Sequence, residues 1–215
     1  MTRAQPFSPE LAAKIDAALP IRTERLVLRR YVEADIPTIQ ELCNDERINV
    51  TTLSLPFPYT IEHATDWYER QAKGWTEGAS CCLGITLADT GELIGDVSLN
   101  LWLKHKTAMI GFYIGVPYWG NGYMTEAAHA MLGFGFGVLD LNRIEAGHFA
   151  GNHASGKVQR KIGLVYEGTR RSYFVVRGER TDDILHAIVR EDFEPDLAKS
   201  IARAKANEHI YAGPR

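Results

Sequence analysis

The segment that most constrains the fold is residues 110–126, which read IGFYIGVPYWGNGYMTE. An apolar, aromatic-rich run ends at a proline, and a turn with glycines at positions 120 and 122 leads into a helical pattern. A strand, a glycine turn and a helix N-terminus in this order present free backbone N–H groups to a phosphate. The segment therefore predicts an anion site at the start of a helix.

Composition describes an ordinary globular chain and excludes several functional classes. The 215 residues are 45% hydrophobic and 24% charged, and the length suits one domain with short appendages. No apolar run approaches the ~18 residues that span a bilayer, and the N-terminus lacks a signal-peptide core, so we expect a cytoplasmic protein. The net charge of −3 disfavours nucleic-acid binding. Cys43, Cys81 and Cys82 lack metal-like spacing, so we expect neither a disulfide framework nor a metal site.

Hydrophobic periodicity predicts an α+β fold. A hairpin at residues 82–102 and a strand at 109–116 lead into the glycine turn, and a long amphipathic helix follows it. Gly133, Gly135 and Gly137 are costly inside that helix unless it packs very close to the sheet or frays before Leu139. The other expected elements are helices at 9–19, 34–42, 60–75 and 154–162, and strands at 25–31, 142–149, 164–167, 172–176 and 184–189.

We divide the chain into an N-terminal helical extension (1–20), a central domain (21–191) and a C-terminal helical tail (192–215). Within the central domain, residues 44–59 are the irregular part, since prolines alternating with aromatic residues resist regular structure. A loop held on a scaffold often carries specificity. This loop is therefore either a wall of the acceptor site or a plain connector that covers the core with Phe57.

Several segments in order carry a resemblance to a known family. They are PYWGNGYMTEA at 117–127, LNRIE at 141–145, NHASGKVQRKIG at 152–163 and YEG at 166–168. Together they resemble the GNAT N-acetyltransferase superfamily. RTERLVLR at 22–29 is similar to the first strand of its RimJ/RimL branch, which includes enzymes that acetylate the N-termini of ribosomal proteins. The resemblance covers about residues 21–191.

The resemblance implies a GNAT fold, in which a mixed, mostly antiparallel sheet splays open between its fourth and fifth strands, with helices on both faces. It implies that acetyl-CoA inserts its pantetheine arm into this opening and lays its pyrophosphate over the glycine turn. Amide-rich pantetheine can satisfy the sheet-edge groups that the opening leaves unpaired. The implied cofactor-binding residues are Tyr113, Ile114, Gly115, Val116, Trp119, Gly120, Asn121, Gly122, Tyr123, Met124, Thr125, Asn152 and Ser155.

Two positions are candidate catalytic groups. A backbone N–H near Ile114 would stabilise the oxyanion formed when a neutral amine attacks the thioester. By resemblance, the Ser155 hydroxyl protonates the departing CoA thiolate or holds the sulfur end of the cofactor; the alternative is a helix cap. Asn152 is likewise either a cap or a hydrogen-bond partner of the pantetheine.

The general base stays open. An alkyl ammonium has a pKa near ~10, so a side chain or a water chain must take its proton. Many relatives carry an acidic residue where this chain has Met109. Many also place Gln or Arg where this chain has Pro117, which has no N–H to donate to a phosphate. The other candidate bases are Glu41, Asp96, His105, His129, His148 and Tyr173.

These observations favour an enzyme that transfers the acetyl group of acetyl-CoA to a primary amine by direct attack in a ternary complex. The acceptor is a protein or peptide N-terminus or a small-molecule amine. The alternative is a non-catalytic acyl-CoA-binding regulatory module of the same fold, which Met109 and Pro117 keep open. We expect no nucleic-acid or membrane partner. A homodimer built on an apolar sheet edge or on residues 193–211 is left open.

Overall fold

The strands of this computed structural model, which describes residues 6–53, 55–208 and 210, form one sheet. They are β1 (Ile21–Arg22), β2 (Leu26–Arg29), β3 (Ser80–Leu87), β4 (Leu93–Trp102), β5 (Thr107–Ile114), β6 (Arg143–Phe149), β7 (Val165–Val176) and β8 (Glu179–Val189). Their order is β1-β2-β3-β4-β5-β6-β8-β7. The pairing of β5 with β6 is parallel, and the other neighbours are antiparallel. The predicted mixed, mostly antiparallel sheet is therefore confirmed.

Helices cover both faces of this sheet, as predicted. They are α1 (Pro9–Ala18), α2 (Ile36–Cys43), α3 (Glu46–Asn49), α4 (Ile61–Thr76), α5 (Tyr123–Gly137), α6 (His153–Lys161) and α7 (Leu197–Ala206). Side-chain caps define where several begin: Ser8 accepts from the backbone N–H of Leu11, and Thr60 from that of His63. Helix α5 packs with the main core on one face, while α2 and α4 enclose a smaller apolar cluster on the other.

The sheet opens between β5 and β6. Their parallel register joins residues 107–109 only to residues 143–145. Beyond these pairs, residues 110–114 remain bonded to β4, and residues 146–149 remain bonded to β8. If strands are counted from β2, whose residues resemble the first strand of the RimJ/RimL branch, β5 and β6 are the fourth and fifth. The opening leaves one backbone edge of each strand without a strand partner.

Of the three glycines in α5, Gly135 lies closest to the side chains of the sheet. A Cβ on this residue would come within 2.7 Å of Ile144 Cδ1 and 3.1 Å of Leu99 Cδ1. At Gly133 a Cβ would meet nothing nearer than 3.7 Å, and at Gly137 nothing within 4 Å. The close packing predicted from the three glycines is thus found at Gly135, and the helix ends at Gly137.

Two expectations from the sequence need correction. Residues 44–59 are not wholly irregular, because α3 forms there with Asp45 accepting from the Arg47 backbone N–H as its cap. The separate strands expected at 164–167 and 172–176 are one strand, β7, whose pairing with β8 shifts register at two places. Both shifts fall where the alternation of apolar and polar residues fails, so the pattern suggested a break.

The N-terminal helix shares the core of the central domain. Ile15 is 1% exposed and packs with Leu26 and Leu83. The predicted extension and tail also include residues 1–5, 209 and 211–215, which lie outside the described residues. The division into extension, domain and tail stays a prediction. No helix in the described part of the chain has the length and apolar character needed to cross a membrane.

Candidate active site

The opening between β5 and β6 leads into a cavity of about 590 Å³. Most of the predicted cofactor residues line it: Tyr113, Ile114, Trp119, Gly120, Gly122, Tyr123, Met124, Thr125, Asn152 and Ser155. Gly115, Val116 and Asn121 do not line it. The far wall is built from α3, from the loop that follows it and from the β7–β8 hairpin. The cavity therefore joins the predicted anion site to a second region.

The glycine turn leaves the start of α5 open to an anion. Gly120 and Gly122 have φ values of +80° and +79°, which residues with a Cβ rarely adopt. Gly122 is the N-cap of α5, and no described side chain makes a capping hydrogen bond there. The first N–H groups of a helix lack intrahelical partners and lie at its positive end. They are thus available to a phosphate, and the anion site itself stays a prediction.

The open edge of β5 presents the backbone of Ile114. Gly115 N donates to Ile94 O on the β4 side, and neighbouring residues of a strand point their N–H groups to opposite edges. The Ile114 N–H therefore points toward the opening, where an oxyanion or a pantetheine oxygen could accept it. The Ile114 carbonyl on the same edge already accepts from Trp119 Nε1 at 2.7 Å.

Arg25 secures the glycine turn, a role that the sequence did not reveal. Its Nε donates to Glu126 Oε2 at 2.7 Å, and its Nη1 donates to Asn121 O at 3.0 Å. Glu126 Oε1 accepts from the Arg25 backbone N–H and from Thr23 Oγ1. Burial raises the pKa of Glu126, but these hydrogen bonds outweigh it and leave the pKa below its usual value. The Glu126 carboxylate, in the first turn of α5, is thus ionised, and the Arg25 guanidinium balances its charge.

Ser155 lies in the first turn of α6, where Asn152 is the cap. Asn152 Oδ1 accepts from Ser155 N at 3.2 Å. Ser155 Oγ accepts from Gln159 Nε2 at 3.1 Å, and the same nitrogen donates to Gly147 O at 3.3 Å. Ser155 is therefore not the cap of this helix. Asn152 both caps the helix and lines the cavity, so its contact with the pantetheine stays a prediction.

The tautomer of His148 follows from the orientation of Gln159. Because the Gly147 carbonyl can only accept, the amide nitrogen of Gln159 must face it and Oε1 must face His148 Nδ1, 3.2 Å away. His148 Nδ1 therefore carries the hydrogen. Burial lowers the pKa of His148, which favours the same neutral ring.

Of the candidate bases, only His148 lies in the cavity wall. Asp96 is buried outside the cavity lining, and it accepts from Cys82 Sγ at 2.7 Å and from Tyr31 Oη at 3.3 Å. Burial raises the pKa of Asp96 to about 7, although these hydrogen bonds oppose the shift. His129 is held by Glu194 O at 2.8 Å, away from the lining. The remaining candidates that do not line the cavity are Glu41, His105 and Tyr173.

The sequence missed Asp183 and Arg170, which lie in the far wall. The Asp183 side chain is 2% exposed, and Arg170 Nε donates to its Oδ2 at 2.9 Å. Among the described residues that line the cavity, Asp183 is the one carboxylate. Asp183 comes just before the strand predicted at 184–189, where an acid is expected to face solvent, so periodicity contained no signal for its burial.

Helix α3 and the loop after it form part of the same wall. Ile48, Thr51, Thr52 and Leu53 line the cavity, whereas Phe57 is 51% exposed. Arg177, in the β7–β8 turn, fastens this loop by donating from Nη2 to Asn49 Oδ1 at 2.6 Å. Residues 44–59 were interpreted either as a wall of a site or as a plain connector that covers the core with Phe57. These contacts agree with the first interpretation and not with the second.

A parallel pair of strands that separate, together with a helix N-terminus without a side-chain cap, is the arrangement that the resemblance to the GNAT superfamily implies for an enzyme that binds acetyl-CoA. Comparison with known proteins agrees. The family model described as Acetyltransferase (GNAT) domain matches residues 25–165. YoaA of Bacillus subtilis (strain 168), named an uncharacterized N-acetyltransferase, is 31% identical over 171 residues, which are 79% of this chain and 96% of YoaA.

Two further comparisons concern ribosomal-protein acetyltransferases. The [ribosomal protein uS5]-alanine N-acetyltransferase of Escherichia coli (strain K12) is 26% identical over 55% of this chain and 62% of that enzyme. A structure of RimL, a ribosomal L7/L12 alpha-N-protein acetyltransferase in complex with coenzyme A, has a TM-score of 0.73 at 20% identity. The match covers 78% of this chain and 95% of RimL and shows a common fold.

The chain belongs to the GNAT acetyltransferase family. It is an acetyl-CoA-dependent N-acetyltransferase, and its relatives include ribosomal-protein N-acetyltransferases of the RimJ/RimL kind. The predicted family, fold and cosubstrate are thereby confirmed. The individual site residues stay predictions.

Proposed function

We propose that the enzyme transfers the acetyl group to a primary amine by direct attack, with both substrates bound at once. The observation that carries this proposal is the single cavity of about 590 Å³, which extends from the glycine turn to Arg170, Phe174 and Asp183. The cofactor would occupy the part beside α5, and the amine would enter beside residues 48–53. Holding both reactants in one site replaces a bimolecular encounter with an oriented one.

The residues beside α5 fit the cofactor. The N–H groups of the glycine turn and of the first turn of α5 would hold its pyrophosphate, and the open edge of β5 would pair with its pantetheine arm. Pro117 has no N–H to add, and the Trp119 N–H donates to Val116 O at 3.2 Å, so the phosphates depend on the amides from Gly120 onward. Acetyl-CoA supplies the acetyl thioester and a thiolate leaving group.

Two groups of this chain would act on the reacting atoms. The Ile114 N–H would stabilise the negative oxygen that develops as the amine adds to the carbonyl carbon. Ser155 would donate its hydroxyl hydrogen to the departing sulfur, because Gln159 already occupies its oxygen as an acceptor. The C–N bond forms, the C–S bond breaks, the amine loses its proton to water in the cavity, and Ser155 regains from that water the proton that it gave to sulfur.

For the acceptor, we favour the N-terminus of a protein or peptide over a small-molecule amine. The relatives named as ribosomal-protein acetyltransferases support this choice. The apolar wall formed by Ile48, Leu53 and Phe174 also offers contacts to the side chains that follow an N-terminal amine. A cytoplasmic location and a homodimer stay predictions, and sedimentation would test the second.

A thiol-release assay with acetyl-CoA tests the proposal against a panel of small amines and peptides with free N-termini. We expect amine-dependent thiol release, an N-acetylated product by mass spectrometry, and initial-rate lines that intersect when both substrates are varied. Parallel lines would contradict direct transfer. Coenzyme A binding without thiol release for any amine would instead support the regulatory-module alternative.

A further inference from the structure

We propose that Asp183 binds the ammonium group of the acceptor and holds it at the opening between β5 and β6. The inference rests on the proposed function, since it assumes that an amine enters this cavity. Asp183 lies on β8 opposite Phe149 of β6. It supplies the one carboxylate among the described lining residues, and a carboxylate is the side chain that best stabilises a desolvated cation.

Arg170 leaves part of this carboxylate available. Its Nε donates to Asp183 Oδ2 at 2.9 Å, and its Nη2 contacts the same oxygen. The other oxygen, Oδ1, lies beside Gly147, at 2.5 Å from the point that a Cβ on this glycine would occupy. A carboxylate has about four acceptor positions on two oxygens. A pairing confined to Oδ2 therefore leaves Oδ1 for a second cation.

Gly147 adjoins both Asp183 and the hydrogen-bond chain that holds Ser155. Its missing side chain makes room for Asp183, while its carbonyl accepts from the Gln159 nitrogen that also bonds Ser155 Oγ. Gly147 belongs to the part of β6 that has separated from β5. The ammonium site and the proposed proton donor for the thiolate thus adjoin one residue at the opening, where nucleophile and leaving group must meet.

Asp183 acts here as a binding group, and water in the cavity acts as the base. The bound ammonium gives its proton to water, and the neutral amine then keeps an N–H hydrogen bond to Oδ1. Asp183 therefore positions the nucleophile while Ser155 serves the leaving group.

The variant Asp183→Asn tests this assignment. We expect the KM for the acceptor to rise at least tenfold, while the KM for acetyl-CoA and the rise in melting temperature caused by coenzyme A stay within error. Asp182→Asn is the matched control, because Asp182 accepts from Ser172 N and lies outside the cavity lining. Should Asp183→Asn fail to fold because Arg170 is left unpaired, the double variant Arg170→Met/Asp183→Leu removes both charges, and we expect the same loss.

Binding without turnover separates this inference from the proposed function. Phenethylamine and a tetrapeptide with a free N-terminus are titrated into enzyme saturated with coenzyme A, which has no acetyl group to transfer. We expect at least one probe to bind, and to bind tenfold or more weakly in the Asp183 variants. Equal binding in wild type and variants, or no saturable binding of either probe, overturns the assignment. Failure of the proposed function shows itself elsewhere, as absent thiol release by the wild type.

Discussion

Gln159 holds Ser155 as a hydrogen-bond donor. The Gln159 amide nitrogen donates to Ser155 Oγ at 3.1 Å, and the Gly147 carbonyl, which can only accept, keeps the amide from turning over. With its oxygen occupied, Ser155 has its own hydrogen free to donate inside the cavity. A buried glutamine thus determines the direction in which a serine on the preceding turn of the same helix can act.

Reversing this hydrogen bond should remove the proton donor. In Gln159→Glu an ionised carboxylate can only accept, so Ser155 would donate to residue 159 instead of to sulfur. We expect kcat to fall by about 100-fold, as for Ser155→Ala, with little change in the KM for acetyl-CoA. The double variant should be no slower than Ser155→Ala alone, because both changes remove the same proton. Additive losses in steady-state kinetics would contradict this coupling.

Arg25 should matter to coenzyme A through Glu126. Arg25→Ala removes the guanidinium and leaves the Glu126 carboxylate without its ion pair. This negative charge lies in the first turn of α5, where the pyrophosphate is expected. We predict that coenzyme A binds about tenfold more weakly at low salt, and that the difference shrinks at high salt. Arg25→Ala/Glu126→Gln should recover part of the affinity.

Calorimetric titration with coenzyme A measures the affinity of the single variant and of the double variant. Arg30→Ala is the control, because Arg30 pairs with Asp16 and packs on Trp75 outside the cavity lining. If Arg25→Ala and its double variant bind coenzyme A equally weakly, then Arg25 acts by shaping the turn and not by neutralising Glu126.

Asp96 should make the stability of the protein depend on pH. Burial raises the pKa of Asp96 from 3.8 to about 7, so the folded chain keeps a proton that the unfolded chain releases. Stability contributed by this proton is complete below pH 4 and is lost as the pH rises toward 7. Asp96→Asn carries no such proton and can still accept from Cys82.

We therefore expect Asp96→Asn to gain stability relative to wild type between pH 5 and pH 8, on the order of 2 kcal/mol. Urea unfolding at several pH values measures the difference in the free energy of unfolding. A difference that stays constant over this range would show that Asp96 is ionised in the folded protein.

Glycines two residues apart in α5 should respond oppositely to alanine. At Gly135 a Cβ would press on Ile144 and Leu99, so Gly135→Ala should lower the free energy of unfolding by about 1–3 kcal/mol. At Gly133 there is room, and alanine should stabilise the helix by up to roughly 1 kcal/mol. Thermal unfolding measures the change in stability of each variant. Equal changes in the two variants would contradict the close approach at Gly135.

Sequence patterns predicted the elements in which apolar residues recur at regular intervals. The apolar spacing that begins at Met124 predicted α5, and the glycines at 120 and 122 predicted the open helix start. Helix α3 was missed because four residues are too few for a period to show.

Contacts between segments that are far apart in the sequence produce no such pattern. Asp183 depends on Arg170 of another strand and on the missing side chain of Gly147, and none of these residues is unusual by itself. Arg25 reaches Glu126 across 101 positions of sequence. The family resemblance supplied the cofactor site, but it assigned no residue to the amine, since acceptor recognition varies among proteins that share a fold.

The short pairing of β5 with β6 has a consequence for cooperativity. The ladder between the two parts of the sheet consists of the pairs at residues 107–109, so little main-chain bonding couples the motion of one part to the other. A ligand that bridges residues 110–114 to β6 would add that coupling. We expect coenzyme A to slow amide hydrogen exchange on both strands together, and the apparent melting temperature to rise with its concentration. The cosubstrate would thereby complete the sheet as well as supply the acetyl group.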